Sequence, residues 1–264
     1  MNKYLVIGNP IEHSLSPKLH NYWIQKNNLN AIYEKKRVNI NELKDIIFEI
    51  KQKKITGINV TIPFKQSIIP YLDKLSYEAD KTKSVNTILL ENDKVIGHNT
   101  DIEGFELAIK NLDYDISNKK ILILGAGGVV PSLIFALNKM SVSEIIISNR
   151  TRKNAENLKK NFKKIKIINW GEASDFDVVI NATSIGLKHN DKMNLDFSNI
   201  GKNKLFFDVI YNPKKTNFLE IAEKLGNKFE NGKSMFIFQA LLAFKLWHKI
   251  IPKVDKETMS IFDS

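Results

Sequence analysis

The stretch from Lys120 to Leu124 is apolar after its first residue, runs into Gly125-Ala126-Gly127-Gly128, and is followed by helical periodicity up to Met140. A buried strand that turns through glycines into a helix admits few folds. The next strand, expected over residues 144–148, has to return beside it by a right-handed crossover, so the segment reads as a βαβ unit. Glycines at such a turn let the backbone bend tightly and bring its N–H groups up to a phosphate, which the helix N-terminus also favours. A tight turn with no ligand is the plainer reading, but this strand–turn–helix setting is the one a dinucleotide fingerprint requires. Pro131 falls in the first helical turn, where its missing N–H costs little.

The end of the following strand bears on the kind of dinucleotide. An NAD site places Asp or Glu there, about 20 residues after the glycines, to bind the ribose hydroxyls. This chain instead has Ser148-Asn149-Arg150-Thr151, then Arg152 and Lys153. Arg150 and Thr151 offer charge-assisted hydrogen bonds to a 2′-phosphate, so NADP is the expected cofactor. Solvated loop cations are the alternative.

Short apolar strands alternate with amphipathic stretches along the whole chain, which predicts an α/β fold with mainly parallel sheets. Helices are expected over residues 18–27, 40–53, 67–72, 77–81 and 104–111, and strands over 30–38, 57–61, 86–90 and 95–97, the last two around Asn92-Asp93. Further strands are expected over 166–168, 178–181 and 205–209, and a strongly apolar helix over 236–249. At 264 residues two modest domains are the natural division, near residue 102.

Composition narrows the function classes. With no cysteine, a disulfide framework, a thiolate metal site and a cysteine nucleophile are excluded, and a reducing, cytoplasmic setting fits. The five histidines, His13, His20, His98, His189 and His248, have no ligand spacing, so no metal is expected. No apolar run approaches the ~20 residues of a membrane span. The excess of 40 Lys and Arg over 29 Asp and Glu gives +11. Nucleic-acid binding is the sharp reading of that charge, but the lysines are dispersed on amphipathic stretches, and a field that attracts anionic substrates and cofactors suffices.

Small polar residues gather where the N-terminal strands end. Ser14 and Ser16, in His13-Ser14-Leu15-Ser16-Pro17, precede a helix; Ser16 as an N-cap and the two hydroxyls holding a carboxylate stand equally. Alternation puts Asn59 and Thr61 on one strand face and Val60 and Ile62 on the other, before Pro63-Phe64-Lys65, which suits the wall of a polar pocket. Asn86-Thr87 and Asn99-Thr100-Asp101 repeat the theme, with Asp101 either a partner for Lys65 or a helix cap.

Together these segments resemble the shikimate dehydrogenase family over nearly the whole chain. The resemblance is carried by Gly8-Asn9-Pro10 through Pro17, Asn59 through Lys65, Ser84-Val85-Asn86-Thr87, Gly97-His98-Asn99-Thr100-Asp101, the glycine turn and Asn149-Arg150-Thr151. Asn181-Ala182-Thr183-Ser184-Ile185-Gly186, Asp208-Val209-Ile210-Tyr211-Asn212-Pro213 and the helix of Gln239 follow in the family's order. The resemblance implies an N-terminal α/β substrate domain of residues 1–102 plus 236–264, and a Rossmann-type, doubly wound NADP domain of residues 103–235, facing each other across a cleft. It implies reduction of 3-dehydroshikimate to shikimate, with Lys65 and Asp101 as the catalytic pair. Ser14, Ser16 and Tyr211 would hold the carboxylate, and Asn59, Thr61, Asn86, Asp101 and Gln239 the ring hydroxyls. Gly125, Ala126, Gly127, Gly128, Val129, Asn149, Arg150 and Thr151 would hold NADP, with Thr183, Ile210, Gly232 and Met235 on the nicotinamide side. Asn154 stands where many relatives carry a further arginine. A relaxed quinate/shikimate enzyme, a nucleotide-binding regulator without turnover, and a homodimeric assembly are the variants to test.

Overall fold

The computed structural model describes residues 1–172, 175–188 and 190–262. In chain order it contains β1 (Asn2–Gly8), α1 (Ser16–Lys26), β2 (Ala31–Arg37), α2 (Leu43–Lys51), β3 (Gly57–Val60), β4 (Lys74–Leu75), α3 (Tyr77–Thr82), β5 (Thr87–Glu91), β6 (Lys94–His98) and α4 (Asp101–Asn111). There follow β7 (Lys120–Leu124), α5 (Val130–Lys139), β8 (Glu144–Ser148), α6 (Arg152–Asn161), β9 (Lys166–Ile168), β10 (Val178–Asn181), β11 (Leu205–Asp208), α7 (Asn217–Lys224), β12 (Lys228–Glu230), α8 (Lys233–His248) and α9 (Lys256–Ser260). The chain forms two compact units, Met1–Gly104 with Ile237–Ser264, and Phe105–Phe236. Among the described residues no helix is long and apolar enough to cross a membrane.

The first unit has one sheet in the order β2-β1-β3-β5-β6-β4. The strands β2, β1 and β3 run parallel, but β5 is antiparallel to both β3 and β6. The expectation of a mainly parallel sheet therefore holds for only part of this unit. The cause is the hairpin at Asn92-Asp93: both residues take positive φ, +50° and +55°, as a two-residue loop requires and as Asn and Asp tolerate. Residues 67–72 form no α-helix; Pro70 sits in a single 3-10 turn over Ile69–Tyr71.

Alternation along the central strands sends Leu5, Ile7, Ile58, Val60 and Ile88 into one core with Leu43, Ile46, Ile47 and Ile50 of α2. On the opposite face Tyr4 packs on Trp247 of α8 with ring centroids 4.9 Å apart. His20 of α1 stacks on Tyr33 at 4.2 Å, next to Phe244 and Trp247. Ile62 does not share the face of Val60, because β3 ends at Val60 and leaves Ile62 exposed in the following turn.

The second unit has an all-parallel sheet in the order β12-β11-β10-β7-β8-β9. Chain order reverses between β7 and β10, which makes this the doubly wound arrangement with its switch point at the end of β7. The near-continuous apolar run of β7, and the fully buried β10 and β11, suit a sheet covered on both faces. The helix α6 escaped apolar periodicity because only Ala155 and Leu158 of it are buried.

His20 carries a consequence for stability. Desolvation of its fully buried ring, with a smaller push from His248, lowers its pKa to about 3, so it is neutral in the fold. In the unfolded chain a histidine takes a proton near 6.5. The stability due to neutral burial is thus whole above pH 6.5 and is lost as pH falls from there towards 3. At pH 5 the loss should be about 2 kcal/mol relative to pH 8. Urea denaturation at both pH values should show the His20→Phe variant less pH-sensitive than the parent by that amount; equal sensitivity would mean that the ring is not held neutral.

Candidate active site

Lys65 lies in the turn after β3, where Phe64 plugs the core at 3% exposure and the Lys65 carbonyl accepts from the Val85 N–H at 2.9 Å. Its ammonium donates to Asp101 Oδ2 at 2.6 Å, and both side chains are about nine-tenths shielded from solvent, at 11% and 8% exposure. Asp101 is the first residue of α4, where the helix dipole favours an acid. Its backbone N–H donates to Asn99 Oδ1 at 3.1 Å, and Asn99 in turn donates to Thr82 Oγ1 and the Ser84 carbonyl. A buried ion pair survives only when its remaining valences are hydrogen-bonded. Here Asn86 Nδ2 supplies Asp101 Oδ1 at 2.9 Å.

Asn86 is the centre of the network. Its Nδ2 also reaches Thr100 Oγ1 at 2.9 Å and Gln239 Oε1 at 3.5 Å. Its Oδ1 accepts from the Thr100 N–H at 2.8 Å and from Thr87 Oγ1 at 3.0 Å. Gln239 comes this close because Gly104 has no side chain: a Cβ there would lie 2.9 Å from the Gln239 backbone nitrogen. Asn59 stands behind Asn86. Its Nδ2 donates to the Asn86 carbonyl and to Thr87 Oγ1, each at 3.0 Å, and its Oδ1 accepts from the Tyr33 hydroxyl at 2.6 Å. Both amide hydrogens of Asn59 are thus committed inside the protein.

Ser14 lies on the β1–α1 loop and Ser16 where that loop enters α1. Ser16 is the first helical residue, and Leu15, which has no capping side chain, holds the N-cap position. The Ser16 N–H donates to Ser14 Oγ at 3.3 Å. The loop is tied at Asn9, whose N–H donates to the Ile62 carbonyl at 3.0 Å and whose Oδ1 accepts from Arg37 Nε at 3.0 Å. Thr61, half-buried, precedes Ile62 on that neighbouring turn. Tyr211 belongs to the other unit, where its ring packs on Phe236 at 4.3 Å.

In the second unit, Gly125 takes φ +110°, and a Cβ there would meet the Ala182 carbonyl oxygen at 2.7 Å, so only glycine fits. At Gly127 the nearest atom to such a Cβ is 3.9 Å away, which leaves open room over the turn. Val129 holds the N-cap position of α5 with no side-chain cap; the Val130 N–H donates to the Gly127 carbonyl at 3.1 Å and the Ser132 N–H to the Val129 carbonyl at 3.0 Å. At the end of β8, Asn149 Nδ2 donates to the Thr151 carbonyl at 2.8 Å. Arg152 is bound to Glu156 and Asn169, while Arg150 and Thr151 are exposed on the loop. No carboxylate stands among residues 148–155, so this donor set fits a phosphate on the ribose better than ribose hydroxyls. The Gly232 N–H donates to the Ile210 carbonyl at 3.0 Å, and Thr183 donates through its N–H and hydroxyl to Asn181 Oδ1 at 3.1 and 2.7 Å. Met235 is buried.

The first unit therefore brings Lys65, Asp101, Asn86, Asn59 and Gln239 into one hydrogen-bonded cluster. Tyr33, Thr87 and Thr100 join it, beyond the residues that the resemblance implies. The threonines sit in the polar strand-end motifs and were within reach of that signal; Tyr33 gave none. Among the described residues no group of three His, Asp or Glu is placed to hold a metal. His189 lies outside the described residues.

Residues 6–88 match the model of the shikimate dehydrogenase substrate binding domain, and residues 106–224 match that of shikimate / quinate 5-dehydrogenase. The chain is 56% identical over 260 residues to the shikimate dehydrogenase (NADP(+)) of Pelagibacter ubique, covering 98% of each chain. A shikimate dehydrogenase solved in complex with NADP+ superposes with a TM-score of 0.92 at 35% identity, covering 100% of this chain and 95% of that one. The Thermus thermophilus shikimate 5-dehydrogenase, in complex with NADP(H) and shikimate, gives 0.90 at 30% identity, with 99% and 98% covered.

The inward commitment of Asn59 can be measured. Asn59→Ala takes the Oδ1 acceptor from the Tyr33 hydroxyl and one of two donors from the Asn86 carbonyl, which keeps the Val60 N–H at 2.8 Å, and should lower the unfolding free energy by about 1–3 kcal/mol in urea denaturation. A variant as stable as the parent would mean that the amide is not held as described.

Proposed function

The chain belongs to the shikimate dehydrogenase family, and on that premise we propose how its site residues share the reaction. The protein is an NADP-dependent oxidoreductase acting on a CH–OH group, reversibly reducing 3-dehydroshikimate to shikimate. The observation that most supports the assignment of roles is the shielded Lys65–Asp101 pair at 2.6 Å inside the Asn86 network.

When bound, NADPH supplies the hydride that reduces the ring carbonyl. The oxygen of that carbonyl then needs a proton, and Lys65 Nζ gives it; in the oxidation direction Nζ takes the proton from the hydroxyl. Asp101 keeps the ammonium oriented, and Asn86 keeps Asp101 from turning away. Asn86, Asp101, Thr61 and Gln239 bind the ring hydroxyls. Ser14 and Ser16 bind the carboxylate. Asn59, with its amide hydrogens engaged by Asn86 and Thr87, acts by holding the Asn86 backbone in place. Gly125, Ala126, Gly127, Gly128 and Val129 receive the pyrophosphate, and Asn149, Arg150 and Thr151 the 2′-phosphate. Thr183, Ile210, Gly232 and Met235 face the nicotinamide. The cysteine-free sequence and a small-molecule substrate suit a cytoplasmic setting.

Two substitutions test these roles. Lys65→Ala should lower kcat by about 10²–10⁴ with a smaller change in KM, read from NADP+ reduction with shikimate and with quinate as comparison. A normal kcat would remove Lys65 from the chemistry. Arg150→Ala should weaken NADPH by about ten- to a hundredfold and NADH far less, because only the former loses a charged hydrogen bond. Equal weakening of the two would take Arg150 away from the 2′-phosphate.

A further inference from the structure

The sheet of the second unit ends in a polar pair that the roles above leave unused. Asn181 closes β10 and Asp208 closes β11; the two are in register on adjacent strands, and both are completely buried. Among the described residues no cation partners Asp208. Its carboxylate is held by three donors instead: Asn181 Nδ2 at 3.1 Å and the Ile210 N–H at 3.0 Å on Oδ1, and Thr216 Oγ1 at 2.5 Å on Oδ2. Burying a carboxylate without a counter-charge is costly, and desolvation raises its pKa to about 6 against the pull of those donors. An apolar strand end would avoid that cost, so what the carboxylate achieves locally needs an account.

Tracing the bonds outward supplies one. Asn181 Oδ1 accepts both the N–H and the hydroxyl of Thr183, and Asn181 Nδ2 also donates to the Ile185 carbonyl at 3.1 Å. Thr183 Oγ1 then accepts the Ile185 N–H at 3.0 Å. On the other side, Asp208 fixes Ile210 directly, Ile210 accepts from the Gly232 N–H, and Gly232 lies so close to the Val209 carbonyl that no side chain fits there. Thr216 closes the same loop at its far end, with its methyl group against Gly186. Two loops and a turn from three places in the sequence thus hang on one pair of side chains.

We propose that Asp208, together with Asn181, is a positioning residue that sets the loops of Thr183, Ile210 and Gly232 for the nicotinamide half of the cofactor. The inference rests on the reading of those three residues given above. Asp208 touches no reacting atom; it acts by offering acceptors to donors on both loops. A carboxylate is suited to this because it accepts only, so none of the three donors meets a hydrogen.

The test separates the two halves of the cofactor. NADPH and 2′,5′-ADP, which lacks the nicotinamide end, are titrated by calorimetry into the parent and its variants. Asp208→Leu, similar in size but without acceptors, should weaken NADPH about tenfold or more while 2′,5′-ADP stays within about twofold. Asp208→Asn should recover most of the loss, since its carbonyl replaces Oδ1 and the Thr216 hydroxyl can rotate to accept from its amide. Should Asp208→Leu fail to fold, Thr216→Val decides: it should weaken NADPH alone by about threefold or more, and Thr216→Ser should behave as the parent. Equal weakening of both ligands, or an unchanged NADPH affinity, overturns the inference. Ile210→Ala then tells which idea failed. If it still weakens NADPH alone, only the positioning role of Asp208 falls; if it too is silent, the nicotinamide reading falls with it.

Discussion

Taking an ammonium and a carboxylate out of water together is favourable only if every other valence of the pair finds a partner. The Lys65–Asp101 contact imposes that condition on its surroundings, and much of the first unit can be read as meeting it. Asn86 satisfies Asp101 Oδ1, Thr100 and Thr87 satisfy Asn86, and Asn59 holds the Asn86 backbone from behind. The chain of bonds reaches the Tyr33 hydroxyl, whose ring is stacked on His20 in an apolar, aromatic layer. The polar cluster is therefore braced by buried side chains that are themselves hydrogen-bonded or stacked, which favours one orientation of the pair. Preorganisation of this kind lets a proton donor act without first reorienting its surroundings.

Both units put their polar residues at strand ends, mostly the carboxyl ends, with Asn86 at the amino end of β5 the exception. Asn59 lies on β3, Asn86 immediately before β5 and Asp101 just after β6 in the first unit; Gly125 follows β7, Asn149 follows β8, and Asn181 and Asp208 close β10 and β11 in the second. In the parallel sheet of the second unit this follows from topology, since the strand ends splay apart at the switch point and leave backbone groups to be satisfied. The first unit reaches its arrangement differently. The hairpin between β5 and β6 reverses direction, so Asn86 and Thr100 are brought side by side by the antiparallel register of Thr87 with His98.

This difference explains what the sequence could and could not convey. Residues 120–148 were legible because glycine turns and continuous apolar runs have one good solution. The polar strand-end motifs were legible as a group, and they led to Lys65, Asp101 and Asn86. Their connections were not. Nothing in the spacing of Asn59 says that its amide is spent on Asn86 and Thr87, or that Tyr33, on an edge strand otherwise rich in charge, supplies the acceptor's partner. Such facts depend on side chains from distant strands meeting at one depth, which period-2 alternation assigns to a face and no further. The mixed character of the first sheet was hidden for a related reason: two short strands around Asn92-Asp93 look the same in sequence whichever neighbour they pair with.

Two of the buried acids, Asp101 and Asp208, show how environment divides labour between identical groups. Asp101 has a cation at 2.6 Å and a solvent-shielded but not sealed position, so its charge is balanced by Lys65. Asp208 is sealed completely and balanced only by the dipoles of an amide, a peptide and a hydroxyl. Dipoles stabilise a charge less well than a counter-ion does, which is why burial can push Asp208 up to about 6. A group held in that way is poorly suited to exchanging protons with a ligand it does not face, and well suited to fixing the direction of the donors around it. The same reasoning separates the asparagines. Asn86 spreads its bonds over a charged pair and Gln239, while Asn181 spends all of its own on backbone, Thr183 and Asp208. One amide thus braces an ion pair, and the other the shape of two loops.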